Sequence, residues 1–106
     1  MPFTTLWLGK RWQVVVKPYI HQYLTDNSFR RIFTEDVETE ELVWHRDRKN
    51  RVVEVIKCNG WKIQYDNKLP VTLKEGDKLK INAFEYHRLI KGTGELIIEI
   101  TEDDAG

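Results

Sequence analysis

The sequence predicts an all-β protein, one domain built as an antiparallel barrel or sandwich. Apolar residues alternate along the chain far more often than they recur at helical spacing. Turn signals cut the chain into about eight short segments, the pattern of small barrels and sandwiches. The 106 residues, 41% apolar and 32% charged, suit one folded domain and are short for two.

Taken in order, Thr4–Gly9 (TTLWLG) and Trp12–Ile20 (WQVVVKPYI) read as strands rich in β-branched and aromatic residues. The one stretch where a helix fits is Tyr19 to Leu24, and it would be short. After the Asp26-Asn27 turn, Ser28–Glu35 (SFRRIFTE) reads as a strand, as does Glu41–His45 (ELVWH). In Arg51–Lys57 (RVVEVIK), Arg51, Val53 and Val55 share one face, with Val52, Glu54 and Ile56 on the other. The Asn59-Gly60 turn leads into a strand with Trp61, Ile63 and Tyr65 on one face. Asp66-Asn67 closes it. Glu75-Gly76-Asp77 opens Lys78–Asn82 (KLKIN), where Leu79 and Ile81 alternate with lysines. His87 begins a later strand. The Gly92-Thr93-Gly94 hairpin signal precedes Leu96, Ile98 and Ile100 on one face of the last strand. Residues 101–106 (TEDDAG) read as a short acidic, solvated tail.

Several function classes drop out on composition. Seventeen Lys+Arg balance seventeen Asp+Glu, so the basic excess of a nucleic-acid binder is missing and no nucleic-acid partner is expected. The single Cys58 excludes an intrachain disulfide and multi-cysteine metal sites. No run approaches the roughly 20 apolar residues of a membrane-spanning helix, and the N-terminal residues lack a secretory core. The expectation is a cytoplasmic protein with no membrane partner.

Two side chains converge by spacing. His45 and Asp47 lie two apart, so on a strand both project from one face. Joined by His87, they make two imidazoles and a carboxylate, the donor set that holds non-haem iron(II) and leaves positions open for other ligands.

The segment from His45 to Lys91 resembles the paired motifs of the cupin superfamily. The first motif, His-x-His, three residues, Glu, six residues, Gly, falls on His45, Asp47, Arg51 and Cys58. The second runs Gly, five residues, Pro-x-Gly, two residues, His, three residues, Asn. It falls on Gly76, Asn82, Phe84, His87 and Lys91 without a gap. The resemblance covers a little under half the chain and implies a small single-domain jelly-roll barrel. It also implies a divalent metal at His45, Asp47 and His87: iron(II), or manganese, nickel or zinc.

The departures from the motifs carry chemistry of their own. Asp47 in place of a histidine remains a ligand. Arg51 in place of the glutamate cannot ligate, since a guanidinium stays protonated and offers no lone pair. About 5 Å from a divalent ion it would be repelled by roughly 6–7 kcal/mol at an effective dielectric near 20. Arg51 therefore has two readings: a catalytic clamp for an anionic substrate, or a structural partner of Asp47 with no metal present. Cys58 has no basic neighbour at a recognisable spacing and reads as a packed thiol.

Other signals are discounted. His45-Arg46-Asp47 imitates a kinase catalytic loop, but the asparagine that loop requires is Val52 here. His21 lacks a partner at ligand spacing and reads as a half-buried or surface histidine. Trp44, next to His45, points to the opposite face and would suit a homodimer interface. Three functional classes follow from the resemblance and the residues. The first is a metal-dependent enzyme, a dioxygenase-like oxidoreductase or an isomerase, acting on a small anionic molecule. The second is a metal-free binding module for a small ligand, and the third a dimeric structural or assembly protein.

Overall fold

The computed structural model describes residues 3–8, 11–16, 19–36 and 39–104. Ten strands follow in chain order: β1 (Phe3–Leu8), β2 (Arg11–Val16), β3 (Tyr19–Tyr23), β4 (Ser28–Phe33), β5 (Lys49–Lys57), β6 (Lys62–Tyr65), β7 (Val71–Thr72), β8 (Lys78–Ile81), β9 (His87–Ile90) and β10 (Leu96–Asp104). The only helical element among the described residues is a 3-10 turn at Glu40–Leu42. None of their helices is long and apolar enough to cross a membrane.

The strands form two antiparallel sheets. One has seven strands in the order β1-β2-β3-β4-β10-β5-β8, the other three in the order β7-β6-β9. The faces read from alternation are the faces that pack. Val53 and Val55 of β5, Ile81 of β8 and Leu96, Ile98 and Ile100 of β10 meet Trp61, Ile63 and Leu89 from the smaller sheet in one core. Trp61, fully buried, lies with its ring centroid 6.3 Å from that of Phe33 across the two sheets. Val52, on the opposite face of β5, is exposed, as the period of two requires.

Three expectations change. Tyr19–Tyr23 is strand β3, not a helix, because its register on β4 pairs Tyr19 with Phe33 and seats both in the core. Glu41–His45 does not continue as a strand: it is the 3-10 turn followed by an isolated bridge at His45. Residues 101–104 are not a solvated tail. They extend β10 along β5, from Thr101 opposite Val52 to Asp104 opposite Lys49, and the Glu102 amide donates to the Asn27 carbonyl. Ladder pairing outweighs the local acidity there. Of the positions read as a tail, 105–106 lie outside the described residues, as do 17–18 within the run read as a single strand from Trp12 to Ile20.

Gly92 packs directly against the Asn59–Trp61 backbone. A Cβ on it would lie 2.3 Å from both the Asn59 carbonyl oxygen and the Trp61 amide nitrogen. The Thr93 amide donates to that same Asn59 carbonyl at 2.8 Å, and the Trp61 indole donates to the Gly94 carbonyl at 3.2 Å. Gly92→Ala is expected to destabilise the fold by about 1–3 kcal/mol, the usual range for forced overpacking. Chemical denaturation against the wild type measures it.

Candidate functional site

The site begins with a backbone bridge. The His45 amide donates to the His87 carbonyl at 3.1 Å, and the His87 amide donates back to the His45 carbonyl at 2.9 Å. Residues exchanging both bonds across an antiparallel bridge carry their side chains on one face, side by side. The two imidazole centroids accordingly lie 4.3 Å apart, tilted by 58°.

Each ring is held in the same way. His45 Nδ1–H donates to the Val43 carbonyl at 2.8 Å, and His87 Nδ1–H donates to the Glu85 carbonyl at 2.8 Å. Fixing the proton on Nδ1 turns each Nε2 into a lone pair whenever the ring is neutral. Both lone pairs face carboxylates: His45 Nε2 lies 3.2 Å from Glu41 Oε1, and His87 Nε2 lies 3.3 Å from Asp47 Oδ2. His45 Nε2 and Asp47 Oδ2 are both buried without a hydrogen-bond partner. Lone pairs and carboxylate oxygens facing one another repel unless a proton or a cation lies between them. This arrangement fits a metal ion, whose histidine ligands usually donate their other N–H to a carbonyl or carboxylate.

The loop that delivers His87 is tied to the His45 segment. The Phe84 amide donates to the Asp47 carbonyl at 2.7 Å, and the Ala83 amide to Asn50 Oδ1 at 2.8 Å. Phe84 occupies the place of the second motif's glycine and keeps a glycine's conformation, with φ of 64°. That left-handed state costs a side-chain-bearing residue about 1–2 kcal/mol. Gly76, the first glycine of that motif, also has positive φ, 89°, and its amide donates to the Val55 carbonyl.

Glu41 is the residue that sequence reasoning missed. Its carboxylate, His45 and His87 form a group whose ligand atoms all lie within 4.8 Å of one another. The 3-10 turn brings it there, closed by the Leu42 amide on the Thr39 carbonyl at 3.0 Å. The signal was present: Glu41 and His45 are four apart, which places them on one face by either the helical or the strand period. Asp47 stands beside this group with its Oδ2 on His87 rather than His45, and residues 46–48 are not a strand.

Arg51, 9% exposed, is held at two points. Its Nε donates to Glu102 Oε2 at 2.9 Å, and its Nη1 lies 3.2 Å from Asp47 Oδ2. On the other flank, Arg31 Nη1 lies 3.4 Å from Glu41 Oε2. Counting Glu41, Asp47 and Glu102 against Arg31 and Arg51, the site carries one negative charge when both histidines are neutral. A divalent ion would reverse its sign.

Titration follows the same contacts. Burial pulls His45 down, but the Glu41 carboxylate, helped by Val43 and Asp47, holds it above its ordinary value. Burial pushes Glu41 up, and His45, Arg31 and Arg51 outweigh it to leave the carboxyl below its usual range. Asp47 behaves alike, lowered by His87, Arg51 and His45 against burial. Cys58 is raised by burial and by Glu75 and Asp77, and its thiol donates to the Leu73 carbonyl at 3.1 Å. That suits a packed thiol rather than a nucleophile. Trp44 is 43% exposed, with the Arg88 guanidinium 4.9 Å from its ring centre.

Between Glu41, Arg51, His87 and the core aliphatics is a chamber of about 20 Å³, hardly more than one water needs. A larger cavity of about 230 Å³ lies at the strand ends, between the loop at 25–28 and the guanidiniums of Arg31 and Arg51.

No family model matches the sequence, and no curated protein matches it. Solved structures do match its shape. A protein from Ralstonia eutropha JMP134, provisionally named a mannose-6-phosphate isomerase, is 18% identical, with a TM-score of 0.66 over 85% of this chain and 88% of its own. KdgF from a Halomonas species is 11% identical, with a TM-score of 0.62 over 85% of each chain. A cupin-family protein from Methanocaldococcus jannaschii with a double-stranded β-helix fold is 12% identical, with a TM-score of 0.58 over 95% of this chain and 89% of its own. The fold is the cupin jelly roll.

The Glu41–His45 pair has a definite pH signature. Because His45 is raised, the stability it gains from Glu41 is fully present below its unfolded value of 6.5 and is lost as pH climbs through the raised value. In metal-free protein, Glu41→Gln should therefore lower the melting temperature more at pH 6 than at pH 9. Thermal unfolding at both pH values tests this. Each kcal/mol lost at pH 6 should appear as a drop of about 4–8 °C, and an equal drop at both would remove the pairing.

Proposed function

We propose that this protein binds one divalent metal ion at His45, His87 and Glu41, with Asp47 alongside, and acts on a small anionic molecule. The observation that carries the reading is the pair of imidazoles pinned through Nδ1–H, with their Nε2 atoms turned on carboxylates and one of them left without a partner. Two histidines and a carboxylate suit iron(II), manganese or nickel, and with a water completing a tetrahedron they suit zinc. Bound there, such an ion would supply Lewis acidity toward a ligand oxygen, and iron(II) would add redox chemistry.

The chain's own residues supply the rest. The Val43 and Glu85 carbonyls fix the rings, Arg31 fixes Glu41, and Arg51 fixes Asp47. The Ralstonia protein's provisional isomerase name makes isomerisation of a small anion one candidate reaction, beside dioxygenase-like oxidation. A cytoplasmic setting suits the free thiol of Cys58.

A metal-free binding module is the second reading, favoured by one observation: Arg51 is already charge-paired with both Asp47 and Glu102. Metal analysis separates the two. Protein purified without chelators, stripped, and reloaded with iron(II), manganese, nickel or zinc should hold one ion per chain. His45→Ala, His87→Ala and Glu41→Gln should each abolish or greatly weaken loading. Asp47→Asn, acting from beside the ligands, should cost about 10–100-fold in affinity. Failure of every metal to load above the level of the His87→Ala variant would leave the binding module standing.

A further inference from the structure

The cavity of about 230 Å³ at the ends of β3, β4 and β10 is a separate compartment from the metal-ligand cluster, joined to it through Arg51 and Arg31. It has the volume of roughly eight liquid waters, room for a molecule of that many non-hydrogen atoms. Its walls have a definite polarity. Arg31 and Arg51 supply two guanidiniums, Glu102 and Asp26 two carboxylates, and Thr25 and Ser28 a pair of hydroxyls bonded to each other at 2.5 Å.

The guanidiniums are pre-oriented. Arg31 lies over both the Tyr19 and Phe29 rings, 4.9 and 4.8 Å from their centres, and its Nε donates to His21 Nδ1 at 3.2 Å. His21 is itself stacked on Phe29 at 4.4 Å. Burial, with Arg31 beside it, pushes the imidazole down to about 4, so it accepts from Arg31 as a neutral ring. The bonds and ion pairs named so far use Nε and Nη1 of both arginines, leaving each Nη2. Glu102 uses only Oε2, leaving Oε1. Guanidinium edges fixed by stacking and second bonds suit a planar carboxylate, and a spare carboxylate oxygen suits a hydroxyl.

The geometry points to this cavity as the binding site for a small hydroxy acid, its carboxylate on Arg31 and Arg51 and a hydroxyl on Glu102. This rests on the reading of the protein as a small-anion binder and does not require the metal. It adds a linkage. Arg51 Nη1 holds Asp47, which already faces His87, so an anion on Nη2 lies one guanidinium away from the ligand cluster. The ion in turn makes the site net positive, so hydroxy acid and metal should each strengthen the other's binding, by the same factor.

D-glycerate is a suitable probe, with glycerol as its uncharged control. Calorimetric titration into metal-stripped protein should show saturable binding of one glycerate per chain and none of glycerol. Zinc-loaded protein should bind glycerate at least about fivefold more tightly. Thr25→Trp, which fills the mouth from an exposed loop, and Arg51→Gln should each weaken binding at least tenfold; the first guards against misfolding of the second. Absence of saturable glycerate binding in both stripped and zinc-loaded protein overturns the proposal. So does binding that both variants leave unchanged. Zinc content measured on the same samples tells this failure apart from failure of the metal site.

Discussion

Everything at the site depends on one two-way backbone bridge. By exchanging amide and carbonyl bonds, His45 and His87 set two imidazoles side by side although forty-two positions separate them in the chain. The entropy of closing that loop is met here by the pairing of the sheets themselves. β5 and β9 are built into opposite sheets around one core, and the bridge lies where the chain enters both of them. The core thus fixes the bridge, and the bridge fixes the rings.

Around the rings runs a line of charges that only this fold assembles. Arg31 from β4 reaches Glu41 from the 3-10 turn, and Glu41 reaches His45. On the other side His87 reaches Asp47, which reaches Arg51 on β5, which reaches Glu102 on β10. Five elements contribute, and every charge but one is balanced by another. A network of this kind, largely removed from water, is costly if any member is left alone. With both histidines neutral one negative charge is left beside two lone pairs, which a proton on His45 or a cation would balance. The Arg51 position shows how a motif can change without collapsing. Where the cupin motif that the sequence resembles has a glutamate, Arg51 is accommodated because Glu102, on the segment read as a loose acidic tail, comes round to meet it.

Much of the fold was legible because period-two alternation encodes which face packs, and the buried residues of β5, β6, β8 and β10 are the ones alternation selects. The elements misread share a cause. Tyr19–Tyr23 and residues 101–104 take their state from a partner strand, a contact that no local pattern records. Both histidines and the carboxylate between His45 and Arg51 were visible through motif spacing. Glu41 was not, because it lies upstream of the motif and is presented by a turn where a strand was expected. Phe84, at the place of the second motif's glycine, has the positive φ that glycine adopts readily.

The account's central claim is that His45 and His87 carry their protons on Nδ1 and turn their Nε2 lone pairs to a common cation. Nitrogen-15 spectroscopy of the three imidazoles tests it directly, on stripped protein held at a pH above the raised value of His45 and then with one equivalent of zinc. The account predicts the Nδ1–H tautomer at His45 and His87, the opposite tautomer at His21, and a zinc-induced shift confined to the Nε2 atoms of His45 and His87. An Nε2–H tautomer at either bridging histidine, or Nε2 resonances that zinc leaves unmoved, would contradict it.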